Sequence, residues 1–244
     1  MKKLITALAV CAATSLSLAA DTSVTSANVV GYSTLTLLTN TYTAVGWQFA
    51  LVGGTTQLPI ASFTNYPNAT KGISTSFADT IRRYDSVAKT FVDYYHRSTG
   101  WRKSGEGFTT TDTLQPGEMT LFFKRGAVDS AITQSGEVIN QAVIVQVPTN
   151  TYTALCNPFP AAISIAAITN YPNATKGIST SFADTIRRYD SSAKTFVDYY
   201  HRSTGWRKSG ESQTTTDQIQ VGEGVLFFKR GTVDSAITFN SPLN

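Results

Sequence analysis

The sequence has little cysteine, histidine and charge. Only two cysteines, Cys11 and Cys156, and two histidines, His96 and His201, occur among 244 residues, and 15% of the residues are charged. A charged fraction well below the roughly 25% typical of globular proteins, together with 11% aromatic residues, argues against a disordered chain, a coiled coil or a long helical array. Few groups are left for metal ligation or nucleophilic catalysis.

The first twenty residues have the pattern of a secretory signal peptide. Lys2 and Lys3 precede an apolar segment at residues 4–13, and small residues near position 20 provide a cleavage site. A membrane-spanning helix needs roughly 20 apolar residues, about twice what this segment offers. We therefore expect residues 1–20 to be removed and the protein to be periplasmic or secreted, without a transmembrane anchor.

Removal of this segment changes the charge and the cysteine count. Without Lys2 and Lys3, 18 basic residues stand against 16 acidic ones. Such a near balance provides no strong field for a polyanion, so we expect no nucleic-acid partner. Cys156 is then the only cysteine, which excludes an intramolecular disulfide.

The strongest signal in the sequence is an internal repeat. Residues 64–106 recur as residues 169–211 with one difference, Val87 against Ser192, and a looser match extends to both sides. This tandem duplication predicts two domains, at residues 21–138 and 139–244, each long enough to close its own core. The alternative is that the copies interlock into one core, although interlocking repeats usually have periods of about 20–50 residues. Near-identical neighbours can also exchange strands while folding.

Within each unit, apolar and polar residues mostly alternate, which predicts β-strands. In the first unit the predicted strands are near residues 35–37, 42–49, 80–84, 90–97, 101–103, 119–125 and 131–133. The turns between them favour an antiparallel meander. A short helix is predicted at residues 161–168, with a poorer counterpart at 58–63. The expected fold is all-β, with two tandem, similar antiparallel sandwich or barrel-like domains; strand spacing does not separate sandwich from barrel.

Several short strings resemble one family of secreted bacterial proteins. They are Asn28–Tyr32 (NVVGY), Pro116–Glu118 (PGE) leading to Phe122-Phe123, Gly136–Val138 (GEV) and Cys156–Phe159 (CNPF). In these strings the chain is similar to a paralogous group, common in verrucomicrobial genomes, whose members often begin with NVVGY and have no assigned activity. The first unit departs from the pattern with Gly46–Phe49 (GWQF) in place of CNPF. The resemblance implies a small, mainly β secreted module and no catalytic residues.

Residues suited to catalysis are few. His96 follows Asp93 by three positions in a predicted strand, where the two side chains point to opposite faces. Residues 72–76 begin like the nucleophile elbow of hydrolases but lack its last glycine. Glu106 and Glu118 stay open as a glycosidase-like carboxylate pair, because sequence does not give their separation. We expect no enzyme.

Metal and cofactor sites are not expected either. One histidine per unit and one cysteine in the mature chain cannot make a closed zinc site, and no calcium-binding loop is present. Cys156 aligns with Gly46 of the first unit, so we interpret it as a buried structural thiol.

The best candidate for binding is an aromatic and basic surface on the predicted hairpin, here called the hairpin face. Its residues are Arg82, Tyr84, Tyr94, Tyr95, Arg97, Trp101 and Arg102, repeated as Arg187, Tyr189, Tyr199, Tyr200, Arg202, Trp206 and Arg207. Exposed rings beside guanidinium groups suit sugars. In the opposing hypothesis half of the aromatic side chains fill the core, and the arginines pair with the acidic residues Asp79, Asp85, Asp93 and Glu106. The interleaved acidic residues disfavour a nucleic-acid surface.

Two functions of different classes follow. The first is a non-catalytic, secreted structural or interaction module of the cell envelope or extracellular matrix, with an unknown ligand. The second is carbohydrate binding through the hairpin face, where two copies would give avidity. A third, weaker hypothesis is a glycan-acting enzyme, which an inward-facing carboxylate pair would favour. The expected partner is a polysaccharide or an envelope protein.

Overall fold

The computed structural model describes residues 30–51, 56–64, 66–169 and 171–241. These residues form an all-β protein with two similar halves, which confirms the predicted fold class. The predicted signal peptide and the first two residues of NVVGY lie outside the described residues. No helix in the described part is long and apolar enough to cross a membrane.

The described part of the first half contains nine strands. They are β1 (Val30–Leu37), β2 (Tyr42–Gly46), β3 (Leu58–Pro59), β4 (Thr80–Asp85), β5 (Thr90–Arg97), β6 (Gly100–Lys103), β7 (Thr113–Leu114), β8 (Met119–Phe123) and β9 (Ser130–Glu137). A 3₁₀ turn, Ile60–Ser62, follows β3.

The described part of the second half repeats this order. Its strands are β10 (Val143–Val147), β11 (Tyr152–Cys156), β12 (Ile163–Ser164), β13 (Thr185–Asp190), β14 (Thr195–Arg202), β15 (Gly205–Lys208), β16 (Gln218–Ile219), β17 (Gly224–Phe228) and β18 (Ser235–Phe239). A 3₁₀ turn, Ile165–Ala167, follows β12.

Each half contains a five-stranded antiparallel sheet, in the order β2-β8-β4-β5-β6 or β11-β17-β13-β14-β15. The predicted meander holds only for β4-β5-β6, because β8 lies between β2 and β4 and because β1 pairs with β9 instead of β2. Among the described residues this sheet has β2 and β6 as its edges and is open. Two ribbons, β1-β9 and β3-β7, complete the first half. All strand ladders join strands of one half, so no strand is exchanged among the described residues.

The core of each half lies on one side of its five-stranded sheet, here called the inner face. In the first half Ile81, Phe122 and Trp101 project from this face and are no more than 1% exposed. They pack against Leu37 and Ile132 of the β1-β9 ribbon. Burial of these side chains is the main stabilising term of the half, because removal of apolar surface from water drives folding.

The predicted short helix is largely wrong. Ile163 and Ser164 pair with β16, and only Ile165–Ala167 form a single 3₁₀ turn. The Ser164 hydroxyl accepts a hydrogen bond from the Ala166 amide and so caps this turn. Because Ile163 and Ser164 pair with β16, they are not available to a helix, and only one 3₁₀ turn forms after them.

The two halves pack through their outer faces, the sides of the sheets opposite to the cores, with approximate twofold symmetry. The Gly46 amide donates to the Gly222 carbonyl at 2.7 Å, and the equivalent Cys156 amide donates to Gly117 at 2.8 Å. The ring of Tyr42 meets that of Tyr189, and equivalent rings meet on the other side of the interface. The buried residues of the interface cluster are Ala44, Met119, Leu121 and Leu226.

Candidate functional site

The tryptophans of the hairpin face are buried. Trp101 and Trp206 are 0% exposed, and their indole N–H groups donate to the carbonyls of Phe63 and Ile168. Trp101 lies opposite His96 in the β5-β6 ladder and therefore projects from the inner face. The expectation that these tryptophans belong to an exposed row is wrong, because they complete the two cores.

The hairpin tyrosines are divided between three environments. Tyr94 and Tyr199 lie in the cores and are 1% exposed. Tyr84 lies in the interface, where its ring meets Tyr152 of the other half at a centroid distance of 5.9 Å, and Tyr189 occupies the equivalent place against Tyr42. In these positions Tyr84 and Tyr189 are half-buried, with part of each residue in contact with the other half.

Tyr95 and Tyr200 lie on the outer faces, although only 8% of each residue is exposed. Tyr95 stands opposite Arg102 across the β5-β6 ladder, and Tyr200 stands opposite Arg207. Their hydroxyl groups make no hydrogen bond within the described part of the chain. With so little of each residue exposed, the rings offer almost no surface for stacking.

Arg82 is held by both charge and aromatic contacts. Its Nε donates to Asp93 at 2.7 Å, and its guanidinium carbon lies 5.7 Å from the Tyr42 ring centroid and 5.3 Å from that of Phe91. Arg187 repeats this arrangement with Asp198. The predicted pairing of hairpin-face arginines with acidic residues is confirmed for Asp93, whereas Asp79 and Glu106 pair with lysines instead.

Arg97 and Arg102 differ from Arg82 in having no counter-charge. Within the described residues, neither side chain forms an ion pair or hydrogen bond, and the same holds for Arg202 and Arg207. Nε of Arg102 is buried without a partner. These four half-buried arginines are the predicted residues that the structure leaves most available for a ligand.

Arg125, which the hairpin face did not include, lies on the same outer surface. Its guanidinium group donates to the Thr75 and Ala78 carbonyls and covers the Phe123 ring at 4.7 Å. Carbonyl oxygens satisfy its N–H groups without neutralising its charge. Arg82, Arg97, Arg102 and Arg125 around Tyr95 are called the outer arginine patch; its counterpart consists of Arg187, Arg202, Arg207 and Arg230 around Tyr200.

The histidines belong to a different, buried network. The Tyr66 hydroxyl donates to Asp79 at 2.8 Å and lies 3.1 Å from Nδ1 of His96. Asp79 also faces Nζ of Lys124 at 3.5 Å, and the four side chains are between 0% and 6% exposed. His201 repeats the network with Tyr171, Asp184 and Lys229.

The hydrogen bonds define the tautomer of His96. Since the single hydroxyl proton of Tyr66 goes to Asp79, Nδ1 of His96 must donate to the Tyr66 oxygen. Burial lowers the pKa of His96, with a further lowering by Lys71, so the neutral ring is favoured. Burial, followed by the charge of Asp79, raises the pKa of Tyr66.

The contacts of this network hold its side chains in fixed positions inside the half. Asp79 accepts from the amides of Thr70 and Arg125 as well as from two side chains, so its carboxylate is well satisfied. The His96 ring stacks on Trp101 at 4.8 Å with an interplanar angle of 7°. Asp93 pairs with Arg82 on the outer face, which confirms that Asp93 and His96 point to opposite sides.

Sequence reasoning did not identify Tyr66 and Lys124 as functional or structural partners. A signal was present for Lys124, because it follows Phe122 by two positions and alternation places both on the inner face. A buried lysine needs a buried acid, and Asp79 precedes the inner-face residue Ile81 by two positions. No comparable local pattern identifies Tyr66, which reaches the network from an irregular segment.

The other residues considered for catalysis or metal binding are the two glutamates and the cysteine, and each of them is paired or buried. Glu106 pairs with Lys103, and Glu118 forms a two-point contact with Arg83, so the structure gives them different cationic partners. Cys156 is buried and free, and burial raises the pKa of its thiol. Within the described residues, no group of three histidine, cysteine or acidic side chains is arranged to hold a metal ion.

Comparisons with known proteins provide no relatives. No family model matches the chain, and no curated protein or solved structure shows significant similarity to it. The resemblance to the NVVGY group therefore stays a prediction, and the case for function depends on the residues themselves.

Proposed function

We propose that the protein is a non-catalytic, secreted structural or interaction module of the cell envelope or extracellular matrix. The observation that supports this best is the confinement of the single histidine of each half. His96 and His201 lie in buried networks, where a substrate has no access to the rings. General acid–base catalysis needs the proton-transfer group within hydrogen-bond reach of the substrate. Secretion rests on the sequence pattern of residues 1–20.

The geometry of the two halves also suits an interaction role. The interface joins two copies of one module through reciprocal backbone hydrogen bonds and a shared apolar cluster. Arg97 and Arg102 lie on the β5-β6 edge of the first sheet, and Arg202 and Arg207 lie on the β14-β15 edge of the second. These edges are away from the strands in closest contact across the interface. One chain thus presents the same surface twice.

A screen for turnover tests the non-catalytic proposal. Purified protein is incubated with labelled polysaccharides, fluorogenic glycosides and a peptide library, beside a variant with His96→Asn and His201→Asn. We expect no product above the buffer blank from either protein. Turnover that one of these substitutions, or Glu118→Gln, abolishes without unfolding the chain would contradict the proposal.

The second candidate is carbohydrate binding through the hairpin face. Its original basis, stacking of sugars on Trp101 and Trp206, has no support because both rings are buried. Carbohydrate binding is still supported by Arg97 and Arg102, which lie on the same face and have no counter-ion among the described residues.

A further inference from the structure

We propose that the outer arginine patches bind the carboxylate groups of an acidic polysaccharide. The inference rests on the proposed interaction role and names its ligand class. Each patch contains four arginines and one tyrosine, and among the described residues the only carboxylate paired with these arginines is Asp93 or Asp198. Arg97 and Arg102 have no counter-ion among the described residues. An uncompensated local charge of this kind favours an anionic ligand even though the whole chain is nearly balanced.

Strand register brings the arginines together. Arg102 lies opposite Tyr95, and Arg97 lies two residues beyond Tyr95 on the same face. Directly opposed residues have Cβ atoms about 5 Å apart and diagonal neighbours about 7–8 Å apart. Arg82 reaches the same face opposite Asp93. Arg97 and Arg102 are therefore diagonal neighbours on the face that carries Tyr95, close enough for one carboxylated sugar to lie beside both side chains.

The aromatic floor of the patch is covered, which disfavours a ligand bound by stacking. Arg82 covers the rings of Tyr42 and Phe91, Arg125 covers Phe123, and Tyr95 is 8% exposed. Neutral sugars and nucleic-acid bases need open ring faces for stacking. Guanidinium groups instead offer planar forks that match the two oxygens of a carboxylate.

The surroundings of the patch favour a polysaccharide over an acidic peptide. The exposed residues after Arg97 are Ser98 and Thr99, whose hydroxyl groups make this end of the strand polar. Sugar hydroxyl groups can pair with these groups around the charged contact. A peptide would gain from apolar pockets for its side chains, and the pockets that include aromatic rings lie elsewhere. Two patches in one chain would let a long polyuronate bind with avidity.

Binding to polygalacturonate tests the inference on the full chain. The neutral control polymer is the same backbone with its carboxylates methyl-esterified, and single-stranded DNA serves as a second polyanion. The test variant carries Arg97→Gln, Arg102→Gln, Arg202→Gln and Arg207→Gln. The matched control loses the same four charges at exposed lysines outside the patch, through Lys71→Gln, Lys89→Gln, Lys176→Gln and Lys194→Gln. Calorimetry measures affinity, and circular dichroism checks folding.

We expect the native chain to bind polygalacturonate at low salt, more weakly as salt increases, and not to bind the methyl ester. The arginine variant should lose at least about tenfold in affinity, while the lysine variant stays within about twofold. If the arginine variant unfolds, the pair Arg97→Gln and Arg202→Gln takes its place. Equal losses in the arginine and lysine variants would overturn the proposal, as would equally tight, arginine-dependent binding of DNA. Absence of polygalacturonate binding would also overturn it and leave the non-catalytic proposal to its turnover screen.

Discussion

Gly46 and Cys156 occupy equivalent positions in the two halves and lie directly against each other. A Cβ atom built on Gly46 would overlap the Cβ of Cys156 and stand 2.8 Å from its Sγ. Gly224 and Met119 form a second such pair, in which a Cβ on the glycine would overlap the methionine side chain. Each half thus supplies a glycine where the other supplies a larger side chain, and this asymmetry lets two nearly identical sheets pack closely.

This packing predicts that Gly46→Ala destabilises the chain by about 1–3 kcal/mol, because an added methyl group overpacks the interface. Chemical denaturation measures the change. Gly107→Ala is the matched control, because a Cβ on Gly107 has no atom within 4 Å. Adding Cys156→Gly to Gly46→Ala should restore most of the lost free energy of unfolding. Equal stability of the Gly46 and Gly107 variants would show that the interface is not tightly packed there.

Trp101→Ala should destabilise the chain by about 3–5 kcal/mol, because it removes a fully buried ring and leaves a cavity in the first core. Thermal unfolding followed by circular dichroism measures the loss. Phe108→Ala provides the comparison, since Phe108 is 63% exposed and its truncation should change stability by less than about 0.5 kcal/mol. A small effect at Trp101 would mean that its ring is not enclosed. The expected loss makes Trp101→Ala unsuitable for binding experiments.

Lys124→Met should cost about 3–5 kcal/mol, because it leaves the Asp79 carboxylate buried without its cation. The double variant with Asp79→Asn should cost less than the sum of the two single variants. Urea denaturation of all four proteins gives the coupling energy. Lys229→Met should reproduce the effect in the second half, since Lys229 lies 3.4 Å from Asp184. Additive effects would show that Lys124 and Asp79 do not interact.

The buried histidines predict loss of stability toward acid. The pKa of His96 and of His201 is lowered below 6.5 in the folded protein, chiefly by burial. At pH values between the folded and the unfolded pKa of these histidines, the unfolded chain binds more protons than the folded protein does. The contribution of the two neutral rings to the free energy of unfolding is therefore complete above pH 6.5 and decreases as the pH falls. Denaturation midpoints from pH 7.5 to 5.0 measure this slope.

Replacement of both histidines by asparagine tests the assignment. The asparagine amide can still donate to Tyr66 or Tyr171 but does not titrate, so the slope between pH 6.5 and 5.0 should become flatter. A variant with the same slope as the native chain would show that other groups control this pH range.

The strands of the hairpin could be predicted closely because their signals are local. The sequence predicted strands at 80–84 and 90–97, and the structure has β4 at Thr80–Asp85 and β5 at Thr90–Arg97. The insertion of β8 between β2 and β4 was not predictable in the same way, since pairing between distant strands depends on the whole sheet. The two-residue strands β3 and β7 were also missed, because they are too short to show a period.

The candidate site was predicted only in part, because both faces of the hairpin carry aromatic residues. Tyr94 and Trp101 fill the core on the inner face, while Tyr84 packs against the other half on the outer face. Alternation separates these two sets but does not tell which one meets solvent. The arginines Arg97 and Arg102 survive as candidates because they lie on the outer face near the sheet edge, beyond the interface.

By itself, the sequence determined the duplication, the all-β class and the positions of most strands, because repeats and two-residue periodicity are properties of the chain alone. Only the tertiary structure decided that the outer faces pack together and that the histidines join buried networks with Tyr66 and Tyr171. It also decided which arginines keep an uncompensated charge. These outcomes depend on contacts between residues far apart in the chain, such as Gly46 with Cys156. Steric fit and charge pairing depend on such contacts, and neither produces a periodic pattern in the sequence from which it could be predicted.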